Sequence, residues 1–433
     1  MPTGTPDQSQ APALRKVLVI AYYFPPMGLG GVQRTLKFVK YLPEYGWEPT
    51  VLTVTPTGYF AEDYTLLEEI SRRSVEIERV GSLDPNRFFQ KKGVVKMPSE
   101  RLRKILTFVS DLFFVPDNKI FWKRKAVRAA EALHARKQFD LLFATGPPFT
   151  DFLIGLELHR RWNKPLVLDY RDPWLEFPFK YYPTPVHRYL NARREKESLH
   201  AASKIVTTNR RVKELILNRH KFLSYDDVVI LPQGFDPRDF EHEDPPRANT
   251  GKMRITHAGV FFGDRTPKYF LNALRKVFAE RPEMRGKIEA CFVGHLHSEH
   301  LQMITSMQLH DTVVTTGYLD HARCVEQLRS SDVLWMMLTN DRQSPGKVYE
   351  YIGARKPILA CVPEGFIRQA VEETGAGVCV DPGDVEGIAS AIIRFYNQFR
   401  GAGLPKTRED VAARYDRIEL TRELSVIFGF LSE

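Results

Sequence analysis

Short apolar runs alternate with longer amphipathic stretches along most of this chain, and that alternation predicts an ordered series of strands and helices. Residues 16–21 (KVLVIA) form an apolar run of strand length. The loop Tyr22-Tyr23-Phe24-Pro25-Pro26-Met27-Gly28-Leu29-Gly30-Gly31 follows, then a predicted helix over 32–45 and a strand over 49–55. This is a βαβ unit with a glycine-rich turn before its helix. Further strands are predicted at 141–144, 165–168, 204–208 and 228–231, separated by helices at 152–161, 187–202 and 210–219. After Pro232-Gln233-Gly234-Phe235-Asp236-Pro237 the composition turns polar and proline-rich through Gly251, which reads as a linker. A second series places strands at 254–258, 287–293, 313–316, 332–338, 357–362 and 377–380, with helices between them. Strands alternating with helices imply a mostly parallel sheet in each half.

Two stretches stand outside this rhythm. Residues 56–135 read as irregular and basic, apart from helical spacing of apolar residues at 102, 105, 106, 109, 112 and 113 and a second helix running from Trp122 through Lys123-Arg124-Lys125 to residue 137. The expected arrangement is a helical hairpin packed on the sheet with a solvated basic face; the competing one is a lipid-facing patch. Residues 409–431 form an amphipathic terminal helix, too late in the chain to be a crossover, that is expected to pack back on one or both domains.

At 433 residues the chain has room for two or three domains, and 43% hydrophobic residues with a mean hydropathy of −0.31 suit a soluble globular protein. No apolar run reaches the ~18 residues of a membrane span. Residues 1–13 are polar, lack the apolar core of a signal peptide and read as a loose tail. The cysteines Cys291, Cys324, Cys361 and Cys379 have no metal-like spacing and fit buried thiols in a reducing cytoplasm. A net charge of +9 points to an anionic partner. Neither zinc-finger spacing nor an aromatic RNA-binding motif accompanies it, so nucleic acid is not expected.

Chemistry concentrates at Ser344-Pro345-Gly346-Lys347-Val348-Tyr349-Glu350-Tyr351. Ser344 suits a helix N-cap and Pro345 the first helical position. The free amides and positive dipole of that helix start make an anion site. Gly346 admits close approach, Lys347 adds a charge, and Glu350 three residues on offers a carboxylate for sugar hydroxyls. In the first half, Thr145-Gly146-Pro147-Pro148 and Asp169-Tyr170-Arg171-Asp172-Pro173-Trp174 sit where open α/β sheets bind ligands, beyond strand carboxyl ends. Asp169 and Asp172 flank Arg171 and read as carboxylates that activate or orient an acceptor. In the second half, the loop from Gly259 to Pro267 mirrors the first glycine loop and carries Arg265 before a helix, suited to a phosphate. His295 and His297 lack a third ligand nearby and, with His257, read as loop histidines.

These motifs, in this order, resemble those of the GT-B glycosyltransferases, and more closely the retaining "group 1" type that uses nucleotide-sugars, in a branch found in bacterial cell-surface polysaccharide synthesis. The resemblance covers roughly residues 15–400 and rests on the Tyr23–Gly31 loop, the Asp169–Trp174 motif, Pro232–Asp236 and Ser344–Ala360. It implies an α/β fold of Rossmann-like domains facing across a cleft, with a tail over 1–14, an acceptor domain over 15–234, a nucleotide-sugar domain over 235–408, and a terminal helix over 409–433 packing across them. By the same resemblance, Gly30 and Gly31 approach the donor diphosphate, Arg265 and Lys347 neutralise it as it leaves, the amides around Gly346, Lys347 and Val348 hold the distal phosphate, and Glu350 binds ribose. Fixed cations with helix amides stabilise the departing diphosphate. No Asp-x-Asp is present, so neither a metal nor a cofactor is expected. The chain departs from the common family pattern at Arg342, where a second glutamate usually stands, and at 145–148, where a histidine often faces the sugar. The expected partners are a nucleotide-sugar donor, a glycan or lipid-linked acceptor and an anionic membrane surface, at the cytoplasmic face. A nucleotide-sugar epimerase or hydrolase of the same fold, or a weakly catalytic nucleotide-sugar-binding partner in a membrane assembly, are the other functions this pattern admits.

Overall fold

The computed structural model describes residues 14–28, 30–56, 62–82, 100–177, 180–241, 251–341 and 345–432. The first half runs β1 (Arg15–Ile20), α1 (Gly30–Tyr41), β2 (Trp47–Val54), α2 (Tyr64–Ser71), β3 (Glu76–Val80), α3 (Glu100–Phe113), α4 (Lys123–Lys137), β4 (Leu141–Gly146), α5 (Thr150–Trp162), β5 (Leu166–Tyr170), α6 (Pro185–Ala201), β6 (Lys204–Thr207), α7 (Arg210–Arg219) and β7 (Val228–Ile230). The strands form one seven-stranded parallel sheet in the order β3-β2-β1-β4-β5-β6-β7. The two periodicities divide its core. Val17 and Val19 of β1 pack with Leu36 and Val39 of α1, whereas Leu18 and Ile20 face Ala126 and Ala130 of α4 and Phe152 of α5.

The second half continues with β8 (Met253–Ala258), α8 (Lys268–Glu280), β9 (Ile288–Val293), α9 (Ser298–Ser306), β10 (Val313–Gly317), α10 (His321–Arg329), β11 (Val333–Met337), α11 (Gly346–Gly353), β12 (Ile358–Cys361), α12 (Phe366–Glu373), β13 (Gly377–Val380), α13 (Val385–Arg400), α14 (Glu409–Ala413) and α15 (Arg417–Leu431). Its six strands are also parallel, ordered β10-β9-β8-β11-β12-β13. Both sheets thus have an order reversal beside their central strands, where such folds leave a crevice at the carboxyl ends.

Three expectations change. The stretch expected to be irregular holds α2, capped by the Asp63 carboxylate on the amides of Thr65 and Leu66, and the edge strand β3. The β3 sequence EIERV lacks an apolar run because an edge strand is covered less completely, and all its residues are half-buried. The terminal helix is two helices. At Tyr415–Arg417 the chain goes extended and pairs with the linker, the Phe235 amide donating to Tyr415 O (2.9 Å) and the Arg417 amide to Phe235 O (2.9 Å). This break lets Val411, Ala412 and Tyr415 pack on the second core while Leu420, Leu424 and Phe428 pack on the first. Finally, only half of the expected hairpin is packed. Helix α4 buries Ala126, Val127, Ala130 and Leu133, but α3 turns its apolar stripe outward. Its inward face is held by an ion pair between Asp111 and Lys180 at 3.0 Å.

Gly234 sits at the crossing point with φ +68°, and a Cβ there would lie 2.7 Å from the Leu420 side chain and 2.8 Å from Tyr415 O. Strain and overpacking act together at this position. Gly234→Ala is expected to destabilise the protein by about 1–3 kcal/mol, read as a lower urea midpoint with an unchanged slope; an unaltered midpoint would show that the crossing tolerates a side chain.

Candidate functional site

The second-domain wall of the crevice is built by α11. Pro345, with φ −66° and ψ 132°, takes the cap position, so the first helical residue is Gly346, one later than the sequence pattern predicts. Ser344 and Arg342 lie outside the described residues. The helix is anchored by Tyr351, whose hydroxyl accepts from the Ala258 amide (2.8 Å) and donates to Trp335 O (3.2 Å), fixing it to the end of β8 and the middle of β11. Val348 is wholly buried in the core beneath, and its amide turns back to Pro345 O (3.3 Å). Lys347 lies toward the cleft, its ammonium 2.5 Å from a Glu350 oxygen and 3.4 Å from Cys324 Sγ. Burial opposes its charge, yet the Cys324 sulfur and Glu350 hold it above the ordinary lysine range. Burial likewise opposes ionisation of Glu350, and Lys347 with His321 outweighs it, leaving the carboxyl below its ordinary value.

The first-domain wall starts at α1. The helix begins at Gly30, two residues before the predicted start, so Gly30 and Gly31 form its exposed first turn. A Cβ on Gly30 or on Gly346 would meet nothing within 4 Å, so both helix starts border open space. Arg171, just past β5, donates to the carbonyls of Gly31 and Pro147 and thereby ties α1 to the β4 loop. Asp172 enters the cleft beside it. Asp169 does not, and this corrects the expectation that it faces a substrate. Strand alternation puts it with Val167 on the face under α1, where Arg34 donates to it at 2.9–3.2 Å and the Thr145 hydroxyl at 2.9 Å; both side chains of the ion pair are fully buried. Asp169 is therefore a structural partner of Arg34.

The two walls are brought together over a cleft of about 400 Å³. Gly30, Gly31, Arg171 and Asp172 line it from one side and Arg265, Gly346, Lys347 and Glu350 from the other. Burial raises the Asp172 carboxyl above its ordinary value, opposed by Arg171 and by Arg265 across the cleft. Burial also lowers the Arg265 guanidinium, and Asp172 counters it. His257 donates from Nδ1 to Trp335 O (3.0 Å) and stacks on Phe261; burial takes it down to about 4, so it is neutral near pH 7. His295 and His297 stay outside the lining, their rings 5.8 Å apart.

Sequence reasoning missed the residues that join the walls. His321 heads α10; its amide donates to Asp63 (2.8 Å), its Nδ1 accepts from Gln33 (2.9 Å) and its Nε2 donates to Asp239 (2.9 Å). No local signal marks it, because Gln33 and Asp63 belong to the other domain. Gly294 was also missed: a Cβ there would stand 2.6 Å from Gly259 O, so the ends of β8 and β9 touch through glycine backbone at the cleft. Among the described residues, Glu69, Asp236 and Asp239 are the carboxylates close enough to share a cation, and Lys37 already sits among them at 2.6–3.2 Å. The cleft thus presents two helix starts and a set of fixed cations to an anion, with carboxylates beside them for hydroxyl groups.

Comparison with known proteins agrees with this architecture. Residues 29–239 match the sequence family Glycosyltransferase Family 4, and residues 253–398 match Glycosyl transferases group 1. No curated protein matches the sequence. The fold is similar to that of a glycosyltransferase from Rickettsia africae, at 15% identity and a TM-score of 0.63, covering 96% of this chain and 98% of that one. It is similar to Anabaena HepE in complex with UDP and glucose, at 13% identity and a TM-score of 0.63, covering 96% and 100%. It is also similar to a putative UDP-N-acetylglucosamine 2-epimerase from Listeria monocytogenes, at 14% identity and a TM-score of 0.57, covering 95% of each.

The carboxylates Asp169 and Asp172 should respond oppositely to mutation. Arg34→Met leaves Asp169 buried without its counter-charge and is expected to cost about 3–5 kcal/mol, measured by chemical denaturation. Asp172→Asn removes a carboxyl whose ionisation burial disfavours, so near pH 7 the variant should be at least as stable as the parent. Because the folded-state value is raised, the parent loses relative stability as pH rises through it, and the advantage of Asn should vanish below about pH 4. A destabilised Asp172→Asn variant at pH 7 would mean that this carboxylate is structurally paired.

Proposed function

Since the chain belongs to the GT-B glycosyltransferases, with family 4 and group 1 domains in its two halves, we infer that its cleft transfers a sugar from a nucleotide-sugar donor to a glycan or lipid-linked acceptor. The observation that carries this reading is the pairing of Lys347 and Glu350 on the first turn of α11, opposite the glycine start of α1. An ammonium and helix amides suit a diphosphate, and a carboxylate held ionised at 2.5 Å from that ammonium suits a ribose diol. The Anabaena protein with UDP and glucose shares the fold, which supports a nucleotide-sugar as donor.

The chemistry follows from charge. Cleavage of the bond between sugar and diphosphate leaves the electron pair, and the negative charge, on the diphosphate oxygen. Arg265, Lys347 and the helix starts are already in place to stabilise it, so no reorganisation is required at that moment. Arg171 is fixed by two carbonyls and holds α1 in position against the β4 loop. Asp172, with its affinity for a proton raised by burial, is suited to accept a hydrogen bond from the acceptor hydroxyl or the transferred sugar. The same cations take the place of a divalent metal, and the carboxylate cluster of Glu69, Asp236 and Asp239 is filled by lysines, which supports metal-independent transfer. Retention of anomeric configuration and a role in cell-surface polysaccharide synthesis belong to this reading through the sequence resemblance.

Lys347→Ala should weaken nucleoside diphosphate binding by about 1–3 kcal/mol, measured by calorimetry on a variant of unchanged fold. An unaltered dissociation constant would remove Lys347 from the donor site. Thermal stabilisation across UDP-, GDP-, ADP- and TDP-sugars identifies the donor. Incubation of that donor with and without acceptor separates transfer from epimerisation or hydrolysis.

Turnover should persist in excess EDTA and gain nothing from magnesium or manganese. Activity abolished by EDTA and restored by either ion would overturn the metal-independent reading.

A further inference from the structure

Helix α3 presents its sides in reverse. Asp111, on its inward face, is buried; its carboxylate is bound by Lys180 Nζ (3.0 Å) and the Tyr181 amide (2.8 Å). Ile105, Leu106, Phe108, Val109, Leu112 and Phe113 are between 40% and 72% exposed. Phe121 and Tyr181 extend this apolar surface, and the Phe108 ring packs edge-on against Tyr181 at 6.2 Å. The start of α6 is fastened to the end of α3 through His187 Nε2 and Leu112 O (3.0 Å), so the stripe belongs to a fixed part of the domain. A contiguous apolar surface of this kind marks an interaction site.

The surrounding charges choose the occupant. Within residues 103–125 the carboxylates are Asp111 and Asp117, and both are engaged, Asp111 by Lys180 and Asp117 by the amide and hydroxyl of Thr150. Lys104, Arg124 and Lys125 are exposed. An apolar stripe bordered by cations would set like charges against each other in a dimer built on this face, whereas it complements an anionic lipid surface. Behind α3, Asp111, Lys119, Phe149, Phe177 and Lys180 line a second cavity of about 200 Å³, and Phe177 also lines the interdomain cleft.

We propose that α3 is a membrane-docking element that inserts its outward stripe, Ile105 to Phe113, into the interface of an anionic bilayer and opens the cavity behind it toward the lipid. Docked in this way, the first domain takes an acceptor carried on a lipid without withdrawing it from the membrane. The acceptor part of this inference rests on the transferase reading above; the docking part does not.

The test is flotation of the full chain with vesicles of phosphatidylcholine alone or of phosphatidylcholine with phosphatidylglycerol. The chain should float with the anionic vesicles at low salt, and less with phosphatidylcholine alone. Val109→Glu with Phe113→Glu should abolish flotation. Arg124→Glu with Lys125→Glu should weaken anionic-vesicle binding by at least about fivefold per cation. Both variants should keep the parent's circular-dichroism spectrum and melting temperature, which shows that they are folded. Absence of flotation at low salt, or flotation unaffected by the Val109/Phe113 substitutions, would overturn docking through α3. A dimer seen by sedimentation velocity and lost in the Val109/Phe113 variant, without vesicle binding, would assign the stripe to a second copy and overturn it as well. If vesicles bind as expected but no donor stabilises the chain, the transferase reading fails and the membrane face stands.

Discussion

The cleft depends on a buried knot of charge at the joint between the domains. Lys37 on α1 places its ammonium 2.6 Å from Glu69, 2.6 Å from Asp236 and 3.2 Å from Asp239, and Lys40 adds contacts of 2.5 and 2.8 Å to Glu69 and Asp236. Tyr41 donates to Asp236 at 2.8 Å. The carboxylates outnumber the lysines, and the remaining acceptor on Asp239 is met by His321 from the second domain. Burial works against charge on Asp239, but His321 and Lys37 together hold it well below the usual carboxylate range. A group in this knot that lost its partner would be a buried, uncompensated charge, so the arrangement specifies one relation between α1, α2, the linker and α10.

That relation is what makes a site out of separate helix starts. The helix α1 that carries Lys37 begins at Gly30 and Gly31, and the His321 that closes the knot shares the cleft lining with Lys347 and Glu350. Moving the joint would move both helix starts relative to each other. The C-terminal segment reinforces it: Arg417 donates to the carbonyls of Gln233 and Gly234, where burial lowers its guanidinium to about 10. Helices α14 and α15 clamp the linker from either side of that crossing.

Much of this was legible in the amino-acid order because parallel strands covered on both faces must be apolar throughout. The KVLVIA run is such a case, with residues Val17 to Ile20 wholly buried. The proline–glycine–lysine start of α11 and the glycine start of α1 were visible for a different reason: helix ends leave amides unpaired, and few residue types suit them. The edge strand β3 escaped because an edge needs no apolar run, and the break at Tyr415–Arg417 because its cause, the domain crossing, is not local.

By itself the sequence determined the buried strands and most of the helices between them, that they form successive α/β units, and which helix starts carry the glycines and the lysine that border the cleft. Those properties arise from periodicity and from capping chemistry within a few residues. The tertiary structure alone decided which carboxylate reaches the cleft, since Asp169 is claimed by Arg34, 135 positions away. It decided that His321 belongs to the site, through Gln33 at a separation of 288 residues, and that the apolar stripe of α3 faces outward, since period gives a stripe but not the side it is turned to. Each of these outcomes depends on a partner distant in the chain, and distant partners meet only when the whole core has packed.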